Sequence, residues 1–149
     1  MLTKTITIIG ELEEFSTALL KILAEQDLQL LFVSTDQEKN VKLQKQFEQF
    51  KTVAEVEFRS SEKEGCWEAD VIILYKPSMI STAIIERIKG VATQKTVLVI
   101  DNIQQNKGNF KELLPHSKVI EVDLTALQEI CLTTYLGIRK SEFPEITGY

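Results

Sequence analysis

The stretch Thr5-Ile6-Thr7-Ile8-Ile9-Gly10 decides the fold. It is short, β-branched and stopped by a glycine, so it reads as a buried strand ended by a turn. The period then changes at once. From Leu12 to Ala24 the apolar positions Phe15, Ala18, Leu19, Ile22 and Leu23 fall on one helical stripe. Leu28–Val33 returns to a nearly continuous apolar run, which ends in Ser34-Thr35-Asp36. A polar helix from about Glu38 to Phe50 is expected next, with Val41, Phe47 and Phe50 buried. Val56 and Phe58 mark a short third strand.

The second half repeats the scheme. Val71–Leu74 is a strand, Met79 to Ile88 a helix with Ile80, Ala83, Ile84 and Ile88 on one face, and Val97–Ile100 a strand closed by Asp101-Asn102. Lys118–Val122 comes after the turn Pro115-His116-Ser117, and Leu124 to Leu136 reads as a closing helix. Continuously apolar strands that alternate with amphipathic helices imply a mainly parallel sheet covered on both faces. Right-handed crossovers then make it a doubly wound α/β fold of six strands, with expected order 3-2-1-4-5-6.

Composition is that of one folded domain. The chain has 149 residues, 44% hydrophobic and 26% charged, which fits a single unit over residues 1–149 with a closing helix and tail from about residue 124. With 17 Lys and Arg against 22 Asp and Glu it carries a net charge of −5. That balance lacks the basic stripe a nucleic-acid surface needs. No apolar run approaches the roughly 20 residues of a membrane span. Cys66 and Cys131 are far apart and lack metal-ligand spacing, so they read as reduced thiols in a cytoplasmic protein.

Doubly wound sheets bind ligands outside the carboxyl ends of the strands, at the switch point between the first and fourth strands. The positions there are Gly10 to Phe15, Ser34 to Asp36, Tyr75 to Ser78, Asp101-Asn102 and Asp123, with Gly10, Glu11, Leu12, Ser34, Thr35, Tyr75, Lys76 and Asp101 as the candidate cofactor contacts. A dinucleotide needs three glycines after the first strand: one for the turn, one for the approach of pyrophosphate, one for close helix packing. Only Gly10 is supplied; Leu12 and Phe15 stand at the other two places. Glu11, Glu13 and Glu14 suit the positive end of a helix but repel phosphate, by about 1–4 kcal/mol for charges some 4 Å apart. Two readings stay open for these glutamates: a built-in anion folded into the phosphate site, or a solvated acidic first turn.

With these residues in view, the chain resembles the coenzyme F420-dependent NADP oxidoreductase family, whose N-terminal Rossmann domain is shared with pyrroline-5-carboxylate reductase relatives. The stretches that carry the resemblance are Ile6-Thr7-Ile8-Ile9-Gly10, Ala69-Asp70-Val71-Ile72-Ile73-Leu74 with Pro77, Val97–Asn102, Glu112–Pro115 and Lys118–Ile120. It runs from about Lys4 to Asp123 and implies a Rossmann-like fold. The departures fall on function. Thr35 stands where the family often has an arginine for the 2′-phosphate of NADP, and Tyr75-Lys76 replaces a small apolar pair. Family members also continue beyond the sixth strand into segments that complete the substrate site, whereas residues 124–149 occupy that place here.

Three functions are therefore expected in order: a degenerate, non-catalytic binding or assembly module that needs no cofactor; an oxidoreductase that binds NAD or NADP through an altered turn and is completed by a partner subunit; and a small-ligand sensor built on Tyr75, Lys76 and Asp101. Lys76 could hold an anion or be a solvated strand-end lysine, and Asp101-Asn102 could touch a ligand hydroxyl or simply form a turn. His116, the lone histidine, is expected at the opposite end of the sheet, so no catalytic residue is assigned. No zinc site can be built, and a magnesium site would have to gather Asp36, Asp101 and Asp123. Trp67 is expected as a partly buried anchor. The closing helix, apolar on several faces, points to a homodimer or another protein subunit as partner.

Overall fold

The computed structural model describes residues 4–10, 17–75, 82–101 and 110–123. Six strands alternate with five helices: β1 (Lys4–Ile9), α1 (Thr17–Ala24), β2 (Leu28–Val33), α2 (Gln37–Glu48), β3 (Glu55–Arg59), α3 (Glu62–Glu68), β4 (Val71–Tyr75), α4 (Thr82–Ile88), β5 (Thr96–Asp101), α5 (Phe110–Leu113) and β6 (Lys118–Asp123). All neighbouring strands pair in parallel, and the sheet order is β3-β2-β1-β4-β5-β6. This is the doubly wound, Rossmann-like arrangement that the alternating periods imply. The closing helix, the tail and the turn residues 11–16 lie outside the described residues.

Period-two alternation sorts the strand side chains onto two faces. Ile6, Ile8, Leu30, Phe32 and Ile73 meet Leu19, Leu23, Leu43 and Phe47 of α1 and α2 in one core. Ile9, Ile72, Leu74, Val97 and Val99 meet Cys66, Ile85, Ile88, Phe110 and Leu114 from the opposite helices in a second. Each fully buried Leu, Ile or Phe contributes about 1.5–3 kcal/mol, so both faces are strongly held.

Helix phase departs from the expected faces at two places. Asp36 caps α2, its carboxylate accepting from the Lys39 N–H at 3.2 Å, and so starts the helix at Gln37. That phase turns Asn40, Leu43 and Phe47 inward, while Val41 is 49% exposed. The Oδ1 of Asn40 is buried with no hydrogen-bond partner among the described residues. In α4, Ile85 and Ile88 are buried and Ala83 is exposed.

No described helix is long and apolar enough to cross a membrane.

Candidate functional site

The switch point lies where β1 pairs with both β2 and β4, the chain leaving toward opposite sides after each. Gly10 comes after β1 there, half-buried, with an extended backbone. At the end of β2 the polar groups bond within their own turn. The Ser34 N–H donates to the Arg59 carbonyl at 2.9 Å, the Ser34 hydroxyl accepts from the Asp36 N–H at 3.2 Å, and Oδ1 of Asp36 caps α2. Thr35 is exposed.

Tyr75 is the decisive residue. It ends β4 at the switch point, is 2% exposed, and belongs to the core shared with Ile8, Phe32, Leu19 and Ile100. A large aromatic therefore packs at the end of β4, where the resemblance implies the first of a small apolar pair. Glu11, Leu12 and Lys76 lie outside the described residues, as do Glu13, Glu14 and Phe15. Asp101 occupies the last position of β5, in register with Asp123 at the end of β6.

The strand order separates two members of the magnesium trio. Asp36 comes after β2 and Asp101 ends β5, three strand spacings away, or about 14 Å at the usual separation. Among the described residues no group of three His, Cys, Asp or Glu side chains could hold a metal ion. His116 lies at the amino ends of the strands, where its carbonyl accepts from the Gln94 N–H at 2.7 Å just before β5.

The described residues form an open groove elsewhere, of about 550 Å³, lined by Ser61, Lys63, Glu64, Trp67, Glu68 and Val91. Trp67 is 73% exposed rather than a partly buried anchor. The reason is local. Ser61 caps α3 by accepting from the Glu64 N–H at 3.3 Å, and the resulting phase directs Gly65 and Cys66 to the sheet and Trp67 away from it. The spacing Ser61-x-x-Glu64 is a capping-box signal that could have revealed this helix.

The last turn of α3 is tied down from two sides. The Thr7 hydroxyl donates to the Gly65 carbonyl, and the Lys95 ammonium donates to the carbonyls of Cys66 and, at 2.7 Å, Trp67. A cation on the carbonyl end of a helix is favourably placed. Burial lowers the Lys95 pKa from its ordinary value, against the raising effect of Cys66 and Asp70. Burial pushes the Cys66 thiol up to about 12, so it is a packed, neutral group and not a nucleophile. On the rim, the hydrogen bond from Arg59 at 2.9 Å holds the Glu68 carboxyl below its ordinary range.

No protein-family model matches the chain, and no curated protein sequence does. Among solved structures, the malate dehydrogenase of Cryptosporidium parvum aligns with a TM-score of 0.54 and 18% identity. The alignment covers 80% of this chain and 45% of the other, so this chain spans less than half the length of that enzyme. Likeness at this identity establishes the fold. The chain has a Rossmann-like fold.

Proposed function

We propose that this chain is a Rossmann-like binding or assembly module that has lost the dinucleotide pyrophosphate site and carries out no redox chemistry of its own, as a degenerate relative of the F420-dependent NADP oxidoreductases. One observation carries the reading: the Tyr75 side chain, 2% exposed, fills the core at the switch point. Leu12 and Phe15 at the two glycine positions, and the run Glu11, Glu13, Glu14, support it from the sequence. The polar groups of Ser34 and Asp36, at the strand end where a ribose is read in this fold, are engaged within their own turn.

The experiment is a titration of the full chain with NADH and NADPH, followed by energy transfer from Trp67, the single tryptophan. The expected result is no saturation at micromolar coenzyme. Saturable micromolar binding would overturn the reading in favour of an oxidoreductase with an altered turn. Leu12→Gly and Phe15→Gly, combined with Glu11→Gln and Glu13→Gln, should raise the affinity, because they restore backbone approach and remove repulsion.

A further inference from the structure

The outward face of α3 is an interaction surface that the switch point does not involve. Trp67 lies largely in solvent over a groove with Val91 in its lining. An indole buries some 150–250 Å² when covered, and tryptophan is enriched among residues that dominate binding energy. A partner of suitable shape is therefore strongly rewarded for covering it.

Charge selects the partner. The chain as a whole carries −5, which opposes the encounter of two copies. Around this groove the charges balance: Arg59, Lys63, Arg87 and Lys95 stand against Glu57, Glu62, Glu64 and Glu68. Two intramolecular pairs, Arg59–Glu68 at 2.9 Å and Arg87–Glu62 at 3.3 Å, hold the rim. Lys63 and Glu64 make no ion pair among the described residues, and both line the groove. A strongly basic or acidic ligand finds no complementary field here, whereas a second copy of the same patch does.

The order of residues is self-complementary. Lys63 with Trp67, and Glu64 with Glu68, form two i,i+4 rows on the outward side of α3. We propose that α3 is a self-association surface, two copies packing antiparallel about a two-fold axis, with each Trp67 lying in the groove of the other. That arrangement sets Lys63 against Glu68 of the partner subunit, and the two-fold repeats the contact on the other side. The proposal rests on the assembly reading and names a second copy of this chain as what is assembled. A patch confined to one seven-residue helix and its groove makes a small, transient interface, so dissociation in the micromolar range or weaker is expected.

Sedimentation velocity over a micromolar to submillimolar series tests it with the full chain. Wild type should shift toward dimer with concentration, and Trp67 emission should move to the blue as the indole leaves water. Trp67→Ala should remove the concentration-dependent shift in sedimentation while the far-ultraviolet circular dichroism is kept, since the side chain is exposed. Lys63→Glu and Glu68→Lys should each weaken association about a hundredfold, because the two-fold axis replaces two charge pairs with repulsive ones at about tenfold each. An equimolar mixture of these two variants should regain the dimer, because each charge then meets its opposite; a merely structural effect on either chain would not be rescued by mixing. A wild type that stays monomeric throughout, or a dimer indifferent to all three substitutions, overturns the proposal. Neither outcome decides the coenzyme titration, which is run at one fixed chain concentration so that self-association leaves the Trp67 signal constant.

Discussion

The hydroxyl of Thr7, on the central strand, donates a 2.6 Å hydrogen bond to the carbonyl oxygen of Gly65 on α3. This bond satisfies a helix-end carbonyl that would otherwise be buried without a donor, because the Ala69 N–H turns to Cys66 instead. It also fixes how closely the helix approaches the sheet. A Cβ added at Gly65 would lie 3.1 Å from Thr7 Cγ2 and 3.2 Å from Val33 Cγ2.

Gly65→Ala should therefore destabilise. Alanine gains about 1 kcal/mol of helix propensity, but overpacking against a rigid sheet costs about 1–3 kcal/mol, so a net loss of roughly 1 kcal/mol is expected. Thr7→Val keeps the shape and removes the donor, at a cost of about 1–3 kcal/mol for the orphaned carbonyl. Urea midpoints of the two variants check both values.

Alkaline stability should depend on Cys66. Its pKa is raised from 9.0 to about 12 by burial, so above pH 9 the unfolded chain releases a proton that the folded chain keeps. Stability is then complete below pH 9 and falls as the pH rises toward 12. Lys95, whose pKa is lowered, acts in the opposite sense over a window just below the ordinary lysine value. Cys66→Ala should flatten the fall. In a Cys131→Ser background the wild-type thiol should react with iodoacetamide at about pH 8 far more slowly in the folded than in the urea-unfolded chain.

Tyr75→Val trims a ring buried in the core at the end of β4. Loss of a buried aromatic ring should cost about 2–4 kcal/mol, measured by denaturant unfolding. In the background carrying glycine at positions 12 and 15, the same change should strengthen NADH binding further. Equal affinity with and without Tyr75→Val in that background would show that the ring does not compete with the coenzyme.

Gln94 adopts φ 66°, in the left-handed region, with its N–H bonded to the His116 carbonyl. Gln94→Gly should relieve that strain and stabilise by about 0.5–1 kcal/mol, read as a higher melting temperature.

The strands are legible in the sequence because parallel strands buried on both faces leave unbroken β-branched runs. Leu28–Val33 is bounded alike by pattern and by pairing, and the order 3-2-1-4-5-6 comes from the crossover rule. Helix phase is not legible in the same way, since one residue of shift rotates a face by about 100°. Apolar spacing alone puts Val41 inside; only with Asp36 as the cap does Asn40 take the buried place. Gly65 reads as part of a polar connection unless Ser61 and Glu64 are taken as a helix start, and the exposure of Trp67 depends on that start. Ser34, Thr35 and Tyr75 are placed at the crevice by topology alone. What fills the crevice depends on side-chain packing, which a strand pattern does not encode.

The central position of β1 bears on how the chain is made. Ile6 pairs with Leu30 on one side and with Val71 on the other, and Thr5 and Asp70 are bonded through both backbone and carboxylate. During vectorial synthesis the first neighbour emerges early, whereas the second must wait for most of the first half of the chain to leave the ribosome. Until then one flank of β1 offers unpaired amides, an edge open to premature coalescence.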